Sequence, residues 1–271
     1  MDQNEHVFDR GVRLTPGAAG LEGSFDKDWW VDRGPNGGFL AAVILHAAQH
    51  AVDDTTRHVC SLAVQYIDRP TEGRFSVAPR VERIGRSMTA VTVRLHQDER
   101  LLATAQVTFA TERSGLEFSE DPMPDVTPPE DIPELKVPGD VVPPFSLNFD
   151  YRWAIGSFPF SGAAESLTGG WIRPKVPRLV DPLLVATYAD AWPPAIFSRL
   201  TGPLGVPTVD LTVHFRTRLD APTDDWCLVR FRAGTASGGF VEEDGAIWSR
   251  DGKLLAHSRQ LALVLGDGSG G

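Results

Sequence analysis

The chain has 271 residues, of which 42% are hydrophobic and 23% charged, a composition typical of a globular protein with one large domain or two ordinary ones. Its formal net charge of −10 argues against a general nucleic-acid binder, although a local cluster of arginines could still bind an anionic ligand. The longest mostly apolar run covers residues 39–48, which is too short to span a bilayer, and the polar N-terminus lacks the pattern of a signal peptide. With two cysteines, we expect reduced thiols and a cytoplasmic protein that binds neither nucleic acid nor a membrane.

The first half of the chain predicts one helix followed by four long strands. A lead-in with a short strand near 21–25 and a glycine-rich turn at 33–38 comes first. Asn36 is a predicted N-cap, and the helix that runs from it to about Val52 is apolar on nearly all sides. The strands lie near 59–67, 73–84, 87–97 and 100–110, where apolar and polar residues alternate. A helix that must be enclosed, followed by such strands, indicates a sheet curled around it.

The second half repeats this pattern after a proline-rich segment. Eight prolines fall between 122 and 144, and proline disfavours both helix and sheet interiors, so we predict a surface connector over 115–145. Strands follow near 149–155 and 167–172, then a helix over about 182–192 that Pro193 and Pro194 end. Four more strands are predicted near 207–218, 226–236, 239–250 and 253–265. The predicted domains are an N-terminal repeat over 1–114 and a C-terminal repeat over 146–266, with a disordered tail at 267–271.

The two halves match in pattern but differ in chemistry. Laying LLAT (101–104) over LLAH (254–257) also brings the two helices into line. At three aligned positions the second half has a polar group where the first half has two valines and a histidine: Gln260 for Val107, Thr208 for Val59, and Asp190 for His46. A repeat with one polar copy suggests one reactive site per pair of repeats.

The duplicated helix-and-sheet unit resembles the hotdog fold, in which a sheet wraps one long helix. Over about 20–265 the chain looks like a double-hotdog, TesB-like acyl-CoA thioesterase. The segments that carry the likeness are GPNGGFLAAVILHAA, ATYADAWPPAIF, PTVDLTVHFR, GGFVEEDGAIW and AHSRQLALV. The resemblance implies an α+β double hotdog, with a long helix and a curved antiparallel sheet in each repeat. It also implies a role in fatty acid metabolism and assembly into a homodimer or a higher homo-oligomer.

The same resemblance implies a catalytic set. In this family an aspartate on the second helix, a threonine on the following strand and a glutamine on the last strand act together, and by motif they fall on Asp190, Thr208 and Gln260. The implied reaction is hydrolysis of an acyl-CoA to the free acid and coenzyme A, without a cofactor. The C-terminal repeat therefore carries the catalytic side chains.

These residue types suit attack by water on a thioester. A partly buried Asp190 would have a raised pKa and could act as general base, while Thr208 and Gln260 can each donate and accept hydrogen bonds. Attack by the carboxylate itself, through an anhydride, is the alternative. Gly37 and Gly38 are the predicted oxyanion donors, because a helix N-terminus favours negative charge and glycine lets the ligand approach. Asp210 is a second candidate carboxylate, since alternation along a strand would put it on the face of Thr208.

Other reaction classes have no matching pattern in the sequence. There is no Gly-x-Ser-x-Gly of a serine hydrolase, and His46 and His50 lack the glutamate of a zinc HExxH motif, so no metal is expected. A hotdog hydratase or dehydratase would carry G-D-x-N-P-x-H, which is missing here. A non-catalytic protein that binds acyl-CoA or lipid is the other alternative.

Overall fold

In the computed structural model, residues 5–18, 20–134, 142–219 and 225–266 are described. Within them the chain forms one continuous antiparallel sheet with helices packed on it. The helices are α1 Val7–Gly11, α2 Gly37–Val52 and α3 Pro182–Tyr188. The strands are β1 Thr15–Gly17, β2 Gly20–Phe25, β3 Arg57–Tyr66, β4 Gly73–Ile84, β5 Met88–Gln97, β6 Arg100–Thr111, β7 Phe149–Gly156, β8 Leu167–Pro174, β9 Thr208–Phe215, β10 Cys227–Ser237, β11 Phe240–Ser249 and β12 Leu254–Leu263. The tail predicted at 267–271 lies outside the described residues.

The strand order confirms the internal duplication. Across the sheet the order is β1-β2-β4-β5-β6-β3-β9-β12-β11-β10-β8-β7. It reads the same from both ends when β1, β2, β3, β4, β5 and β6 are exchanged for β7, β8, β9, β10, β11 and β12, in that order. The two halves join at the centre, where β3 and β9 pair antiparallel with Leu62 opposite Val213. Each half therefore completes the sheet of the other and leaves no free edge between them.

Both central strands carry a bulge at the same position of their repeat. One extra residue lies between Val59 and Ser61 in β3, and one between Thr208 and Asp210 in β9. A bulge interrupts the alternation of side chains, so the two residues that flank it point to opposite faces. The expectation that Asp210 shares a face with Thr208 is therefore wrong. Leu211 instead shares the face of Thr208, because it pairs with Gln260.

Helix α2 fills the centre of the curved sheet. Ten of its 16 residues are buried, as its nearly uniform apolar composition predicts. The N-cap prediction is confirmed, since the Oδ1 atom of Asn36 accepts a hydrogen bond from the N–H of Phe39 at 3.0 Å. α2 packs against α3 and against β4 and β5, within one apolar core shared by both repeats. The described helices are all shorter or less apolar than a membrane crossing requires.

Helix α3 is shorter than predicted, so the described residues of the second repeat contain no long helix. It ends at Tyr188, and the N–H of Asp190 bonds to the carbonyl of Thr187 at 3.2 Å in a tight turn. Pro193 and Pro194, which have no N–H to donate, then prevent helix from resuming at once. The turn after α3, rather than the helix itself, therefore carries Asp190.

The described part of the proline-rich segment lies along the outer face of the second half-sheet. Met123, Val126 and Ile132 pack against an apolar cluster that includes Trp171 and Trp248. The indole N–H of Trp171 donates to the carbonyl of Thr127, which ties the segment to β8. This face of the sheet is turned away from the helices, so the segment covers apolar side chains that would otherwise face solvent.

Candidate active site

Thr208 and Gln260 meet across two neighbouring strands of the second repeat. The hydroxyl of Thr208 on β9 donates to the Oε1 atom of Gln260 on β12 at 2.9 Å. Gln260 is only 7% exposed, so its amide needs partners inside the protein. The bulge in β9 makes this contact possible, because it turns Thr208 towards the face on which Gln260 lies.

Asp190 is held by the N-terminal end of α2, which belongs to the other repeat. The side-chain amide of Asn36 donates to the backbone carbonyl of Asp190 at 2.7 Å and to its Oδ2 atom at 3.2 Å. The N–H of Gly38 donates to the same Oδ2 atom at 3.1 Å. A helix N-terminus carries partial positive charge, so this location stabilises a carboxylate.

The environment of Asp190 gives its carboxyl an unusual pKa. Burial raises this pKa and hydrogen bonds from Gly38, Gly37, Gln260 and Asn36 offset part of the rise, so that the net shift is from 3.8 to about 6. Desolvation outweighs these bonds, so the group titrates just below neutral pH. The interaction with Gln260 also links Asp190 to the pair formed with Thr208. The three side chains expected to act together therefore lie in one group.

The two glycines permit the close contact between the repeats. A Cβ on Gly38 would lie 2.4 Å from the carbonyl oxygen of Thr187, and one on Gly37 would lie 2.9 Å from the Oδ2 atom of Asp190. Side chains at these positions would push α2 away from the turn after α3. Because the N–H of Gly38 bonds to Asp190 here, the oxyanion role of Gly37 and Gly38 stays a prediction.

Three further residues, which were not predicted as site residues, complete the group around Asp190. Asn36 was predicted only as an N-cap, but its Nδ2 atom also holds Asp190. The hydroxyl of Tyr66 donates to the carbonyl of Gly37 at 2.6 Å and so fixes the start of α2. Glu243 on β11 accepts a hydrogen bond from the Nε2 atom of Gln260 at 2.8 Å.

A signal for Glu243 exists in the repeat. Glu243 pairs with Gln260 across β11 and β12, just as Val91 pairs with Val107 across β5 and β6. At this position of the repeat the second half therefore has a glutamate where the first half has a valine. Asn36 and Tyr66 give no such signal, because their contacts depend on how the helix and strands pack.

Aromatic side chains lie beside the turn that carries Asp190. The ring of Trp192 is 5.3 Å from that of Tyr151 and 5.0 Å from that of Trp153, measured between centroids. The hydroxyl of Tyr151 donates to the carbonyl of Ala191, which fixes the turn. Within the described residues, no group of three or more His, Cys, Asp or Glu side chains is arranged to hold a metal ion.

Comparisons with known proteins agree on one family. The family model for the N-terminal domain of acyl-CoA thioesterases matches residues 26–110, and that for the C-terminal domain matches residues 129–264. Acyl-CoA thioesterase 2 of Haemophilus influenzae is 27% identical over 255 residues, which covers 84% of this chain and 86% of that protein.

Solved structures show the same fold over the whole length. A hot dog fold protein of unknown function from Alicyclobacillus acidocaldarius superposes with a TM-score of 0.90 at 27% identity, covering 97% of this chain and 99% of that one. An acyl-CoA thioesterase II from Mycobacterium marinum superposes with a TM-score of 0.78 at 22% identity, covering 98% and 100%. The matched family models span both repeats and include every residue of the group around Asp190, so the chain belongs to the acyl-CoA thioesterase family, as a TesB-like thioester hydrolase with the hotdog fold.

Proposed function

We propose that this protein hydrolyses an acyl-CoA to the free acid and coenzyme A, and that Asp190 activates the attacking water. The observation that carries the proposal is the hydrogen-bonded group around Asp190, in which a buried carboxyl with a pKa of about 6 lies against Gln260 and the N-terminus of α2. Such a carboxyl is ionised at neutral pH and basic enough to take a proton from water. Thr208 and Gln260 would hold that water through their hydroxyl and amide groups.

The charge that develops in the reaction suits the same helix N-terminus. As water adds to the thioester carbon, its proton passes to Asp190 and negative charge appears on the carbonyl oxygen. Asp190 loses its charge in the same step, so the positive end of α2 faces one negative charge before and after the addition. The N–H groups of Gly37 and Gly38 would then stabilise the oxyanion. Collapse of the intermediate breaks the C–S bond, and the proton on Asp190 passes to the departing thiolate.

Two hydrogen bonds favour the water route over direct attack by the carboxylate. The Oδ2 atom of Asp190 accepts from both Asn36 and Gly38, and a carboxylate oxygen that accepts two hydrogen bonds is a weaker nucleophile. In the water route Asp190 takes up only a proton, so it can keep the hydrogen bond from Asn36 while the N–H of Gly38 passes from the neutralised carboxyl to the oxyanion. A single turnover in 18O-labelled water tests the choice, because direct attack by water never labels Asp190, whereas an anhydride opened at the carboxyl carbon of Asp190 leaves 18O in that side chain. Label found instead in the Asp190 peptide would establish the anhydride route.

We also propose that the site is shared between an N-terminal repeat, residues 1–114, and a C-terminal repeat, residues 146–266, joined by the connector 115–145. Asp190, Thr208 and Gln260 come from the second repeat, while Gly37 and Gly38 come from the first. The aromatic rings of Tyr151, Trp153 and Trp192 offer an apolar surface beside Asp190 for the acyl group.

The test is hydrolysis of short, medium, long and aromatic acyl-CoAs by the wild-type protein and by Asp190→Asn, with the released thiol detected by a chromogenic reagent. General bases contribute about 100-fold to 10,000-fold, so we expect kcat to fall by at least about 100-fold. Asp53→Asn is the matched control, because Asp53 is the exposed C-cap of α2, about 24 Å from Gly37 by the helix rise. Its left-handed backbone suits asparagine as well. Full turnover in a folded Asp190→Asn would exclude Asp190 as the base.

A further inference from the structure

Glu243 is a buried carboxyl that the proposed reaction does not use. It is 6% exposed and lies on β11, opposite Gln260 of β12. Its Oε1 atom accepts from the Nε2 atom of Gln260 at 2.8 Å, and its Oε2 atom accepts from the backbone N–H of Ala195. Both oxygens are thus occupied by N–H donors. A buried charge is costly, and the first repeat has Val91 at the same place, so the fold itself does not require a carboxyl here.

The side-chain amide of Gln260 can take two orientations, and the carboxyl of Glu243 distinguishes between them. An amide presents an oxygen on one side and an NH2 group on the other. The hydroxyl of Thr208 can donate or accept, so it could bond to either side of the amide. An ionised Glu243 can only accept, so it requires the NH2 group on its own side.

We infer that Glu243 is a positioning residue that fixes the amide of Gln260 with Nε2 towards Glu243 and Oε1 towards Thr208. This inference deepens the proposed function and rests on it. The Nε2 atom has two hydrogens, and the interaction of Gln260 with Asp190 lowers the pKa of that carboxyl, as expected for a donor. The amide of Gln260 thereby joins the carboxyls of Glu243 and Asp190, and its oxygen faces the hydroxyl of Thr208. Glu243 thus sets the pattern of donors and acceptors that the attacking water meets, without touching the water.

The orientation depends on the charge of Glu243. Burial, as the largest effect, and the neighbouring carboxyls of Asp190 and Asp244 together raise its pKa from 4.5 to about 7. The hydrogen bonds from Ala195 and Gln260 act in the opposite direction. A proton on Oε1 displaces the Nε2 atom of Gln260, and a proton on Oε2 displaces the N–H of Ala195 and removes the charge to which Nε2 donates. In both cases the hydrogen bond to Gln260 is lost or weakened as pH falls through about 7. Asp190, with a pKa of about 6, gains its proton at lower pH, so two ionisations shape the acidic side of the activity profile.

The decisive variant is Glu243→Gln, assayed for kcat, KM and their pH dependence. A glutamine side chain has one oxygen for two donors, so we expect kcat at pH 8 to fall by about ten-fold to a hundred-fold, as misplaced groups in active sites do. KM should stay within about two-fold, because no substrate contact is removed. On the acidic side of the pH profile, the ionisation near pH 7 should disappear and the one near pH 6 should remain. The control is Asp244→Asn, because Asp244 is the next residue on β11, is exposed and pairs with Arg259. It should keep the wild-type kcat at pH 8 and both acidic ionisations, with that of Glu243 moved to slightly lower pH because one neighbouring negative charge is removed.

The outcomes separate this inference from the proposed function. Wild-type kcat and an unchanged acidic limb in Glu243→Gln, with Asp190→Asn inactive, would overturn the role of Glu243 alone. An active Asp190→Asn would instead overturn the proposed function.

A measurement on the wild-type protein covers the case in which Glu243→Gln does not fold. The side-chain NH2 resonances of Gln260, assigned by their loss in Gln260→Leu, should shift with an apparent midpoint near pH 7. Resonances that do not move between about pH 5.5 and 8.5 would overturn the inference, because protonation of Glu243 must remove or weaken the hydrogen bond that the Nε2 atom of Gln260 donates to it.

Discussion

The N–H of Gly38 donates a hydrogen bond to the carboxylate of Asp190 at 3.1 Å, although the two residues are 152 positions apart in the chain. Gly38 is the second residue of the helix of the first repeat, and Asp190 lies in the turn after the helix of the second. The bond therefore joins the repeats at the point where the proposed chemistry takes place. Neither repeat alone contains both partners, which explains why the site requires the duplicated chain.

Gly38→Ala should destabilise the protein and reduce turnover. Its Cβ would lie 2.4 Å from the carbonyl oxygen of Thr187 and 3.1 Å from that of Ala186, and these are backbone atoms that cannot rotate away. Alanine favours a helix over glycine by about 1 kcal/mol, but overpacking costs about 1–3 kcal/mol, so the net effect is a loss. Urea unfolding measures this change in the free energy of unfolding. Gly115→Ala, which has open space around the new Cβ, should leave the free energy of unfolding unchanged. A Gly38→Ala protein as stable and active as wild type would contradict the close contact between α2 and the turn.

Asp190 should cost the protein stability at neutral pH. Its pKa is raised from 3.8 to about 6 by burial, so between these values the folded state keeps a proton that the unfolded state has released. The contribution of Asp190 to stability therefore falls as pH rises from about 4 to 6 and stays low above that. Relative to wild type, Asp190→Asn should gain on the order of 3 kcal/mol across this range. Denaturant unfolding of both proteins from about pH 4 to 8 measures the difference, and a difference that does not change with pH would refute the raised pKa.

Two tyrosine variants should have opposite effects on stability. Tyr66→Phe removes the hydroxyl that donates to the carbonyl of Gly37 at 2.6 Å, so an acceptor loses its partner at a cost of about 1–3 kcal/mol. Tyr188→Phe is the matched comparison, because the hydroxyl of Tyr188 is buried without a hydrogen-bond partner among the described residues. Its removal should leave stability unchanged or increase it. Thermal unfolding shows which of the two variants is less stable, and equal losses of stability would contradict these hydrogen-bond assignments.

Thr208→Val should reduce kcat while the protein stays folded. Valine has the shape of threonine but cannot donate to the Oε1 atom of Gln260, so we expect a loss of about ten-fold to a hundred-fold. Thr208→Ser should keep most of the activity, since the hydroxyl remains. Thr212→Val tests the specificity of the effect, because Thr212 follows Leu211 on β9 and so faces the other side of the sheet. If Thr208→Val and Thr212→Val have the same kcat, the hydroxyl of Thr208 has no part in the reaction.

The sequence by itself determined the repeat and the order of its elements, and it predicted three residues of the candidate site. Hydrophobic periodicity and the local signals of Asn36 and of Pro193–Pro194 depend on neighbours in the chain, so they can be interpreted without a structure. Comparing the halves then singled out Asp190, Thr208 and Gln260 because the first half is apolar or histidine at those places.

The tertiary structure decided the rest, because it depends on contacts between distant segments. The early end of α3 follows from how the turn at Asp190 packs on Asn36 and Gly38, and no local pattern encodes it. The bulge in β9 is set by its pairing with β12, and it reverses the face expected for Asp210. The burial of Glu243 beside Gln260 likewise depends on the register of two strands, which gives a glutamate in a strand its partners and its raised pKa.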